Sequence, residues 1–327
     1  MDGLHDESAT GSTPAVSAAT IAGNDILVTG GAGFIGSNLA NALAGRNDVV
    51  VVDDGSLGIE EALDEDVELV ERSVLEPDLP TAVDVCFHLA GLSSYSAHES
   101  DQTAGVRVNL EGFVNVLEQA RKDGCSDVVY ASTISVYDDP TAPTETAVAA
   151  TTGCEASCLA RERYAEYFAS HYGLNVAGLR LTTVYQAYRN SHAGGPAYPN
   201  VVAELADTIA HGRRPVLYGS GERVRDFTHV EDVVSGLIAA ANHRLTGVYD
   251  LGTGRGVTSN ELVAMLTDTL DRPVQPTYVD RPTPDGVLPA CGVADPSKFH
   301  AATGWEPEIP LESGIERVCR QHEVPSP

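Results

Sequence analysis

The most constraining feature of this sequence is a short apolar run that leads directly into a cluster of glycines. Residues 26–29 are Ile-Leu-Val-Thr, residues 30–36 are Gly-Gly-Ala-Gly-Phe-Ile-Gly, and a helical pattern begins inside the cluster. Glycines at this spacing let a strand turn sharply into a helix. The N–H groups and the dipole at the start of that helix favour a bound anion such as a pyrophosphate. The sequence therefore predicts a strand, a phosphate-binding turn and a helix, although a turn needed only for packing is the alternative.

Short β-branched apolar runs alternate with longer amphipathic stretches from here to residue 181. The runs are 26–29, 49–52, 67–70, 85–89, 128–131 and 176–181, and the helical patterns are 34–43, 106–121 and 154–171. Continuous apolar strands separated by helices indicate a parallel sheet that is covered on both faces. We expect an α/β protein with a Rossmann-like, doubly wound parallel sheet and a smaller C-terminal α/β substrate lobe.

Composition divides the chain into three parts. Residues 1–24 are rich in Ser, Thr, Ala, Gly and acidic residues, without the basic start and apolar stretch of a signal peptide, so they predict a disordered acidic tail. Residues 25–181 would form the nucleotide-binding domain. Residues 182–327 would form mainly the substrate-binding lobe over the C-terminal edge of the sheet, with segments such as 225–252 returning to the first domain.

The charge of the chain limits its partners. The sequence has 47 acidic and 20 basic residues, a formal net charge of −27, and only two lysines, Lys122 and Lys298. Such a chain is repelled by nucleic acid, and it contains no run of about eighteen apolar residues that would span a membrane. In multimolar salt the Debye length is ~3 Å or less, which screens the self-repulsion. These features predict a halophilic protein, and an acidic mesophilic enzyme is the alternative.

The cysteines indicate a reduced, cytoplasmic protein. They are scattered without a C-x-x-C pair, at positions 86, 125, 154, 158, 291 and 319.

An acidic residue at the end of the second apolar run strengthens the nucleotide prediction. Asp53 follows residues 49–52 directly, about twenty residues after the glycine cluster. A carboxylate at this place accepts hydrogen bonds from the adenosine ribose and repels a 2′-phosphate. The sequence therefore predicts NAD rather than NADP as the cofactor.

A set of further motifs occurs in a recognisable order: Gly30–Gly36, Asp53, His88–Gly91, Asn109–Gly112, Ser132–Tyr137, Arg180–Tyr185, Arg225–Phe227 and Gly304–Pro307. Together they resemble the extended short-chain dehydrogenase/reductase family, in its NAD-dependent nucleotide-sugar epimerase/dehydratase branch, and specifically UDP-glucose 4-epimerase-like members. The resemblance covers about residues 25–318. It implies NAD as cofactor, a UDP- or dTDP-linked sugar as substrate, and a homodimer.

The resemblance also assigns binding residues. Those implied for the cofactor are Gly30, Gly33, Phe34, Ile35, Gly36, Asp53, Leu89, Ala90 and Asn109. Those implied for the substrate are Ser135, Thr183 and Arg225. Arg225 would pair with the diphosphate, a task suited to the guanidinium fork, unless it is a surface arginine paired with Glu222 or Glu231.

The catalytic residues of the family are only partly present. In the family a Tyr phenolate takes the proton of a sugar hydroxyl while hydride leaves the same carbon for NAD, and a Lys four residues later lowers the Tyr pKa. Thr133 matches the Ser or Thr that bonds the reacting oxygen. The Tyr and Lys positions are occupied by Cys154 and Cys158, and Tyr-x-x-x-Lys occurs nowhere in the chain.

Three interpretations of this replacement remain open. Cys154 could act as the base if Arg161 lowered its pKa, or a phenol could substitute, with Tyr95, Tyr137 and Tyr185 as candidates. The chain could instead bind NAD and a nucleotide sugar without turnover, as a regulator or partner subunit. Finally, the two thiols share one helical face and could bind a metal or respond to oxidation. Because a structural zinc needs four ligands, we expect no metal site, and two thiols that fill apolar space are the simplest alternative.

The residues after Thr133 indicate the type of reaction. The family's sugar dehydratases have Asp and Glu there, whereas this chain has Ile134 and Ser135. We therefore expect an NAD-dependent nucleotide-sugar epimerase-type oxidoreductase or isomerase, with the non-catalytic binding protein as the alternative.

Overall fold

The computed structural model describes residues 21–93, 98, 100–137, 148–187, 189–190, 196–197, 200–280 and 292–322. Residues 1–20 of the expected tail and the candidate phenol Tyr95 lie outside the described residues. Ile21, at the end of the expected tail segment, is 6% exposed and packs in the core.

The strands of the described residues are β1 (Asp25–Thr29), β2 (Asp48–Asp53), β3 (Glu68–Glu71), β4 (Val85–His88), β5 (Asp127–Thr133), β6 (Asn175–Leu181), β7 (Thr183–Tyr185), β8 (Arg189–Asn190), β9 (Pro196–Ala197), β10 (Val216–Tyr218), β11 (Val224–His229), β12 (Gly247–Leu251), β13 (Gly256–Thr258) and β14 (Thr277–Val279). The α-helices are α1 (Phe34–Ala44), α2 (Gln102–Val106), α3 (Gly112–Asp123), α4 (Gly153–Tyr172), α5 (Val201–Ala210), α6 (Val230–Asn242), α7 (Ser259–Thr269), α8 (Ser297–Thr303) and α9 (Leu311–Cys319). No helix of this described set has both the length and the apolar character needed to cross a membrane.

A seven-stranded parallel sheet forms the larger part of the protein. Its strand order is β12-β6-β5-β4-β1-β2-β3, and every neighbouring pair is parallel. Helices α1 and α6 cover one face, and α3 and α4 cover the other, each over its own apolar core. The central strands are apolar on both faces because both faces are covered. The predicted α/β, doubly wound sheet is confirmed.

Residues 106–121 are helical throughout, as the apolar pattern predicts, but part of the stretch is not α-helical. A π-helical segment, Arg107–Glu111, separates α2 from α3. Such a segment takes one more residue per hydrogen-bonded turn than an α-helix. It contains Asn109, which is 1% exposed and bonds the backbone of Leu92 in the loop after β4. The apolar periodicity does not reveal this break.

The smaller part consists of short mixed sheets and helices. Strands β13, β11 and β7 form one sheet and β10 pairs with β14, while α5, α7 and α9 enclose a third apolar core. The chain between these pieces returns to the large sheet, where β12 pairs with β6.

A buried carboxylate joins segments of the two parts. Asp226 of β11 is fully buried, and it accepts hydrogen bonds from the backbone N–H groups of Thr253 (3.1 Å), Gly254 (2.9 Å) and Ala294 (3.3 Å). The Thr253 hydroxyl also donates to it. Burial raises the pKa of Asp226, while these hydrogen bonds lower it. The loops that follow β12 and precede α8 are therefore fixed to one side chain.

We expect Asp226→Asn to lower the free energy of unfolding by about 1–3 kcal/mol, because an amide NH2 group would face backbone donors. Chemical denaturation measures this change. Asp268→Asn, on the exposed face of α7, is the control and should be nearly neutral. Equal stability of the two variants would contradict the assigned role of Asp226.

Candidate functional site

The strand order of the large sheet places a crevice beyond the carboxyl ends of β1 and β4. The chain runs outward in opposite directions from these two strands, which is where ligands bind in open α/β sheets. Gly30 follows β1 with a positive φ of 67°, and a Cβ there would lie 2.5 Å from the backbone nitrogen of Ala90. Only glycine lets the loops after β1 and β4 meet so closely.

The start of α1 faces this crevice. A Cβ on Gly36 would overlap the carbonyl oxygen of Gly30, so the helix can approach the turn only with glycine there. Gly33 is the N-cap residue, and a Cβ on it would have one close neighbour, the Gly30 carbonyl oxygen at 3.1 Å. Phe34 and Ile35 form the half-buried first turn. The helix therefore presents the positive end of its dipole beside an open backbone surface.

Asp53 at the end of β2 fixes the glycine turn. Its Oδ2 accepts the N–H of Ala32 at 3.1 Å, and its Oδ1 accepts the N–H of Gly55 at 3.0 Å. Burial raises the pKa of this half-buried carboxyl group, against the two backbone hydrogen bonds. Each oxygen retains capacity to accept another hydrogen bond. The turn, the helix start and this carboxylate fit the pyrophosphate and the adenosine ribose of NAD.

The strands beside the turn are joined by buried polar groups. Thr29 Oγ1 and His88 Nδ1 are 2.8 Å apart, and Leu89 donates its N–H to the Thr29 carbonyl. Burial, and then the Arg161 charge, lower the His88 pKa to about 3, so the ring is neutral. Among the described residues, His88 Nε2 has no hydrogen-bond partner.

Asn109 is bonded within the protein. It accepts from Leu92 N–H at 2.7 Å and donates to the Leu92 carbonyl (3.0 Å) and to Ser157 Oγ (3.0 Å); its Nδ2 also lies 2.8 Å from His98 Nε2. Its side chain thus ties the loop after β4 to helix α4. The predicted contact of Asn109 with the cofactor stays a prediction.

Thr133 and Ser135 lie together where β5 ends. Thr133 is half-buried, and its Oγ1 accepts the backbone N–H of Ser135 at 3.1 Å. This bond starts the short 3-10 helix Ile134–Val136. The Thr133 hydroxyl therefore has a fixed position at the same edge of the sheet as the glycine turn.

Thr183 and Arg225 lie on neighbouring parts of the smaller sheet. Thr183 begins β7 opposite Phe227, and Arg225 lies on β11, where it is half-buried. Its Nε has no hydrogen-bond partner among the described residues. The two acids considered as its surface partners have other contacts, since Glu222 accepts from Asn260 and Glu231 pairs with Arg317.

Helix α4 carries Cys154 and Cys158, the two cysteines that the family resemblance places at catalytic positions. A capping box between Thr152 and Glu155 starts the helix. Cys154 is half-buried, and its thiol donates weakly to the carbonyls of Leu92 (3.8 Å) and Ser93 (3.9 Å). Cys158 lies one turn deeper and is 4% exposed.

The two thiols have opposite pKa shifts. The interaction with Cys158 and burial raise the pKa of Cys154. The interaction with Cys154 and the Arg161 guanidinium lower the pKa of Cys158, against burial. The pKa of Cys154 is therefore shifted in the direction opposite to the one expected if Arg161 made this thiol the base.

The two candidate tyrosines within the described residues, Tyr137 and Tyr185, are not available as bases near neutral pH. Tyr137 donates its hydroxyl to Asp250, and burial followed by this bond raises its pKa. Tyr185 is fully buried, which raises its pKa as well. As for the metal interpretation, the described residues contain no group of three or more His, Cys, Asp or Glu side chains that could hold an ion.

A buried ion pair between Glu162 and Arg180 lies behind the site, and it was not predicted from the sequence. Glu162 of α4 accepts two hydrogen bonds from the Arg180 guanidinium, at 2.9 and 2.7 Å, and one from Ser132 Oγ at 2.7 Å. Arg180 and Glu162 are 3% and 9% exposed. The available signal was an arginine inside the apolar run 176–181, because a charge within a buried strand requires a partner.

Comparisons with known proteins agree with this architecture. Residues 26–252 match the model of the NAD dependent epimerase/dehydratase family. A UDP-glucose 4-epimerase from Mycolicibacterium smegmatis is 31% identical over 308 residues, which cover 89% of this chain and 96% of that protein.

Two solved structures are also similar. A Thermotoga maritima UDP-glucose 4-epimerase with UDP-glucose has 29% identity and a TM-score of 0.81, covering 90% of this chain and 97% of that one. A Thermus thermophilus UDP-glucose 4-epimerase in complex with NAD has 28% identity and a TM-score of 0.76, covering 91% and 98%.

The chain is an α/β protein of the class that binds dinucleotides at the switch point of a parallel sheet. It belongs to the NAD-dependent epimerase/dehydratase family, whose members act on nucleotide sugars.

Two glycines, Gly36 inside α1 and Gly45 at its C-terminal end, provide a matched test of the close approach of α1 to the glycine turn. We expect Gly36→Ala to lower the free energy of unfolding by about 1–3 kcal/mol, because the new methyl group must displace the Gly30 carbonyl. Gly45→Ala, where a Cβ meets nothing within 4 Å and φ is −65°, should be neutral or slightly stabilising. Thermal unfolding compares the two, and equal midpoints would contradict the close approach of α1 to the turn.

Proposed function

We propose that this chain binds NAD and a UDP- or dTDP-linked sugar and catalyses an epimerase-type reaction by transient hydride transfer at a sugar carbon. The observation that carries the proposal is the crevice formed by the glycine turn, the start of α1 and Asp53. Family membership and the similarity to UDP-glucose 4-epimerases support the same assignment.

Residues of the crevice would hold the cofactor. The backbone of Gly30, Gly33 and Gly36 and the first turn of α1 would receive the pyrophosphate, and Asp53 would accept the ribose hydroxyls. Leu89 and Ala90 would line the opposite wall. NAD, when bound, supplies a hydride acceptor that can return the hydride to the same carbon.

The chain's own residues would orient the sugar nucleotide. Thr133 would hydrogen-bond the reacting oxygen, with Ser135 beside it. As hydride leaves the sugar carbon for NAD, the hydroxyl proton would pass to the thiolate of the Cys154 and Cys158 pair, and it would return to the oxygen when the hydride returns. Arg225 would bind the diphosphate through its guanidinium, with Thr183 on the neighbouring strand.

The second candidate function is binding without turnover, as a regulator or partner subunit. It is favoured by the raised pKa values of Cys154, Tyr137 and Tyr185. None of these three groups is ready to accept a proton near neutral pH.

Turnover separates the two candidates. The protein, kept reduced in multimolar KCl, would be incubated with NAD and a panel of UDP- and dTDP-sugars. Chromatography separates the sugar products, and absorbance at about 340 nm follows the bound NADH. We expect epimer formation that falls about 100-fold in Thr133→Val, which loses a donor to the reacting oxygen. Thr269→Val, on an exposed part of α7, is the control. Calorimetric NAD binding without any product in the whole panel would instead support the non-catalytic candidate.

Cofactor choice gives an independent prediction. We expect Asp53→Asn to weaken NAD binding by about tenfold or more, since a charge-assisted hydrogen bond is lost. The ratio of the NAD affinity to the NADP affinity should also fall, because the carboxylate that repels the 2′-phosphate is gone. Isothermal titration calorimetry measures both affinities. Asp54→Asn is the matched control, because this exposed neighbour accepts only a local hydrogen bond from Ser56. Unchanged NAD affinity in Asp53→Asn would contradict the assigned ribose contact.

The chain would form a homodimer in solution. Helix α4 exposes three tyrosines, Tyr164, Tyr167 and Tyr172, which would contribute apolar surface to the dimer interface. Analytical ultracentrifugation measures the mass of the particle and so distinguishes a dimer from a monomer.

The protein would come from a halophilic cytoplasm. The net charge of −27 supports this origin.

A further inference from the structure

Arg161 of α4 is a buried cation beside the crevice. It is 6% exposed, and one of its terminal nitrogens lies 3.7 Å from the position that a Cβ on Gly91 would occupy. A guanidinium group keeps its proton in proteins. Because an isolated charge is costly to bury, Arg161 requires an anionic partner.

The two nearby carboxylates are not bonded to Arg161. Glu162, the next residue, is bonded to Arg180 and Ser132. Glu155 accepts hydrogen bonds from Thr151 and Thr152 through its Oε2 in the capping box, and its buried Oε1 has no hydrogen-bond partner among the described residues. Neither carboxylate forms a hydrogen bond or an ion pair with Arg161 in the described structure.

The remaining groups that face Arg161 come from two strands and from its own helix. Tyr130 of β5 is fully buried with a raised pKa, and His88 of β4 is neutral. The contact that remains is Cys158, whose sulfur accepts a hydrogen bond from the Arg161 Nη2 atom at 3.2 Å. Within the described residues, Arg161 Nε has no partner of its own.

We propose that Cys158 and Arg161 form a buried thiolate–guanidinium ion pair, in which Arg161 is a positioning residue that holds the negative charge on Cys158. The anionic thiol of this site is then the deeper cysteine, Cys158, and the half-exposed Cys154 stays protonated beside it. Arg161 thereby acts on a thiol as the family resemblance has a lysine act on a phenol.

This ion pair would exist in the protein without ligand, so it can be tested independently of the proposed turnover. Two other buried thiols do not interfere with its detection. Burial raises the pKa of Cys86 well above its ordinary value and that of Cys125 to about 11. The Cys158→Ser variant below assigns a thiolate signal near neutral pH to Cys158 and separates it from the remaining cysteines.

The test is an absorbance titration of the reduced, ligand-free full chain at about 240 nm, where a thiolate absorbs and a thiol does not. We expect a step centred below neutral pH in the wild type and in Cys154→Ser. Cys158→Ser should remove the step. Arg161→Met should move it upward by about two pH units or more, because the compensating charge is lost, whereas Arg161→Lys should largely restore it.

Arg163→Met is the matched control, since Arg163 lies on the exposed side of the same helix and pairs with Glu166. It should leave the step unchanged. The proposal is overturned if the wild type shows no step below about pH 8, near the ordinary pKa of cysteine, or if Cys158→Ser retains the step. These two outcomes need only the wild type and a nearly isosteric variant, and they decide whether Cys158 is the thiolate. An unchanged step in folded Arg161→Met would overturn the role of Arg161, because the thiolate would then be held by its contact with Cys154.

Discussion

The candidate site depends on the carboxylate of Glu162. This one side chain bonds Arg180 of β6 and Ser132 of β5, so it fixes helix α4 against the middle of the large sheet. The pair is nearly inaccessible to water, and removing either member would leave an uncompensated buried charge, which costs several kcal/mol, on the order of 3–5. Arg180 also lies 4.9 Å from the ring of Tyr137, whose hydroxyl bonds Asp250 of β12. The orientation of α4 is therefore set by charge and not by apolar packing alone.

A second set of bonds connects the same helix to the crevice wall. Asn109 joins the loop after β4 to Ser157 of α4, and the Cys154 thiol faces the carbonyls of the same loop. The π-helical segment that carries Asn109 makes this connection possible because it interrupts the regular helix next to the site. Widened turns of this type occur often at functional sites. The loop after β4 and helix α4 are thus joined by side-chain contacts.

The sequence predicts the features that depend on local periodicity and fails for those that depend on contacts distant in the chain. The strand, turn and helix around Gly30–Gly36 and the parallel sheet were predicted because glycine spacing and apolar runs specify them locally. The break at Arg107–Glu111, the role of Asn109 and the partners of Arg180 were not, because each requires residues that meet only in the folded chain. The difference between the two cysteines also depends on the folded chain. Their spacing predicts that Cys154 and Cys158 share one face of a helix. The two thiols are distinguished by the contact of buried Arg161 with Cys158 and by the bonding of Glu162 to other residues.

The family resemblance implies a tyrosine and a lysine where this chain has Cys154 and Cys158, so these two positions differ in charge from those the resemblance implies. A lysine at position 158 would bring a positive charge that is free to contact a nucleotide, as the family resemblance implies. Here the positive charge comes from position 161 and is directed at the Cys158 sulfur, 3.2 Å away. The proposed ion pair would be neutral as a whole, so beyond the pair its field would fall off faster than that of a single cation. The attraction of a nucleotide to this crevice would then come mainly from the start of α1 and from Arg225. Under this proposal the chain would still bind its cofactor, while the acid–base chemistry at Cys154 and Cys158 would differ from that of a tyrosine and lysine pair.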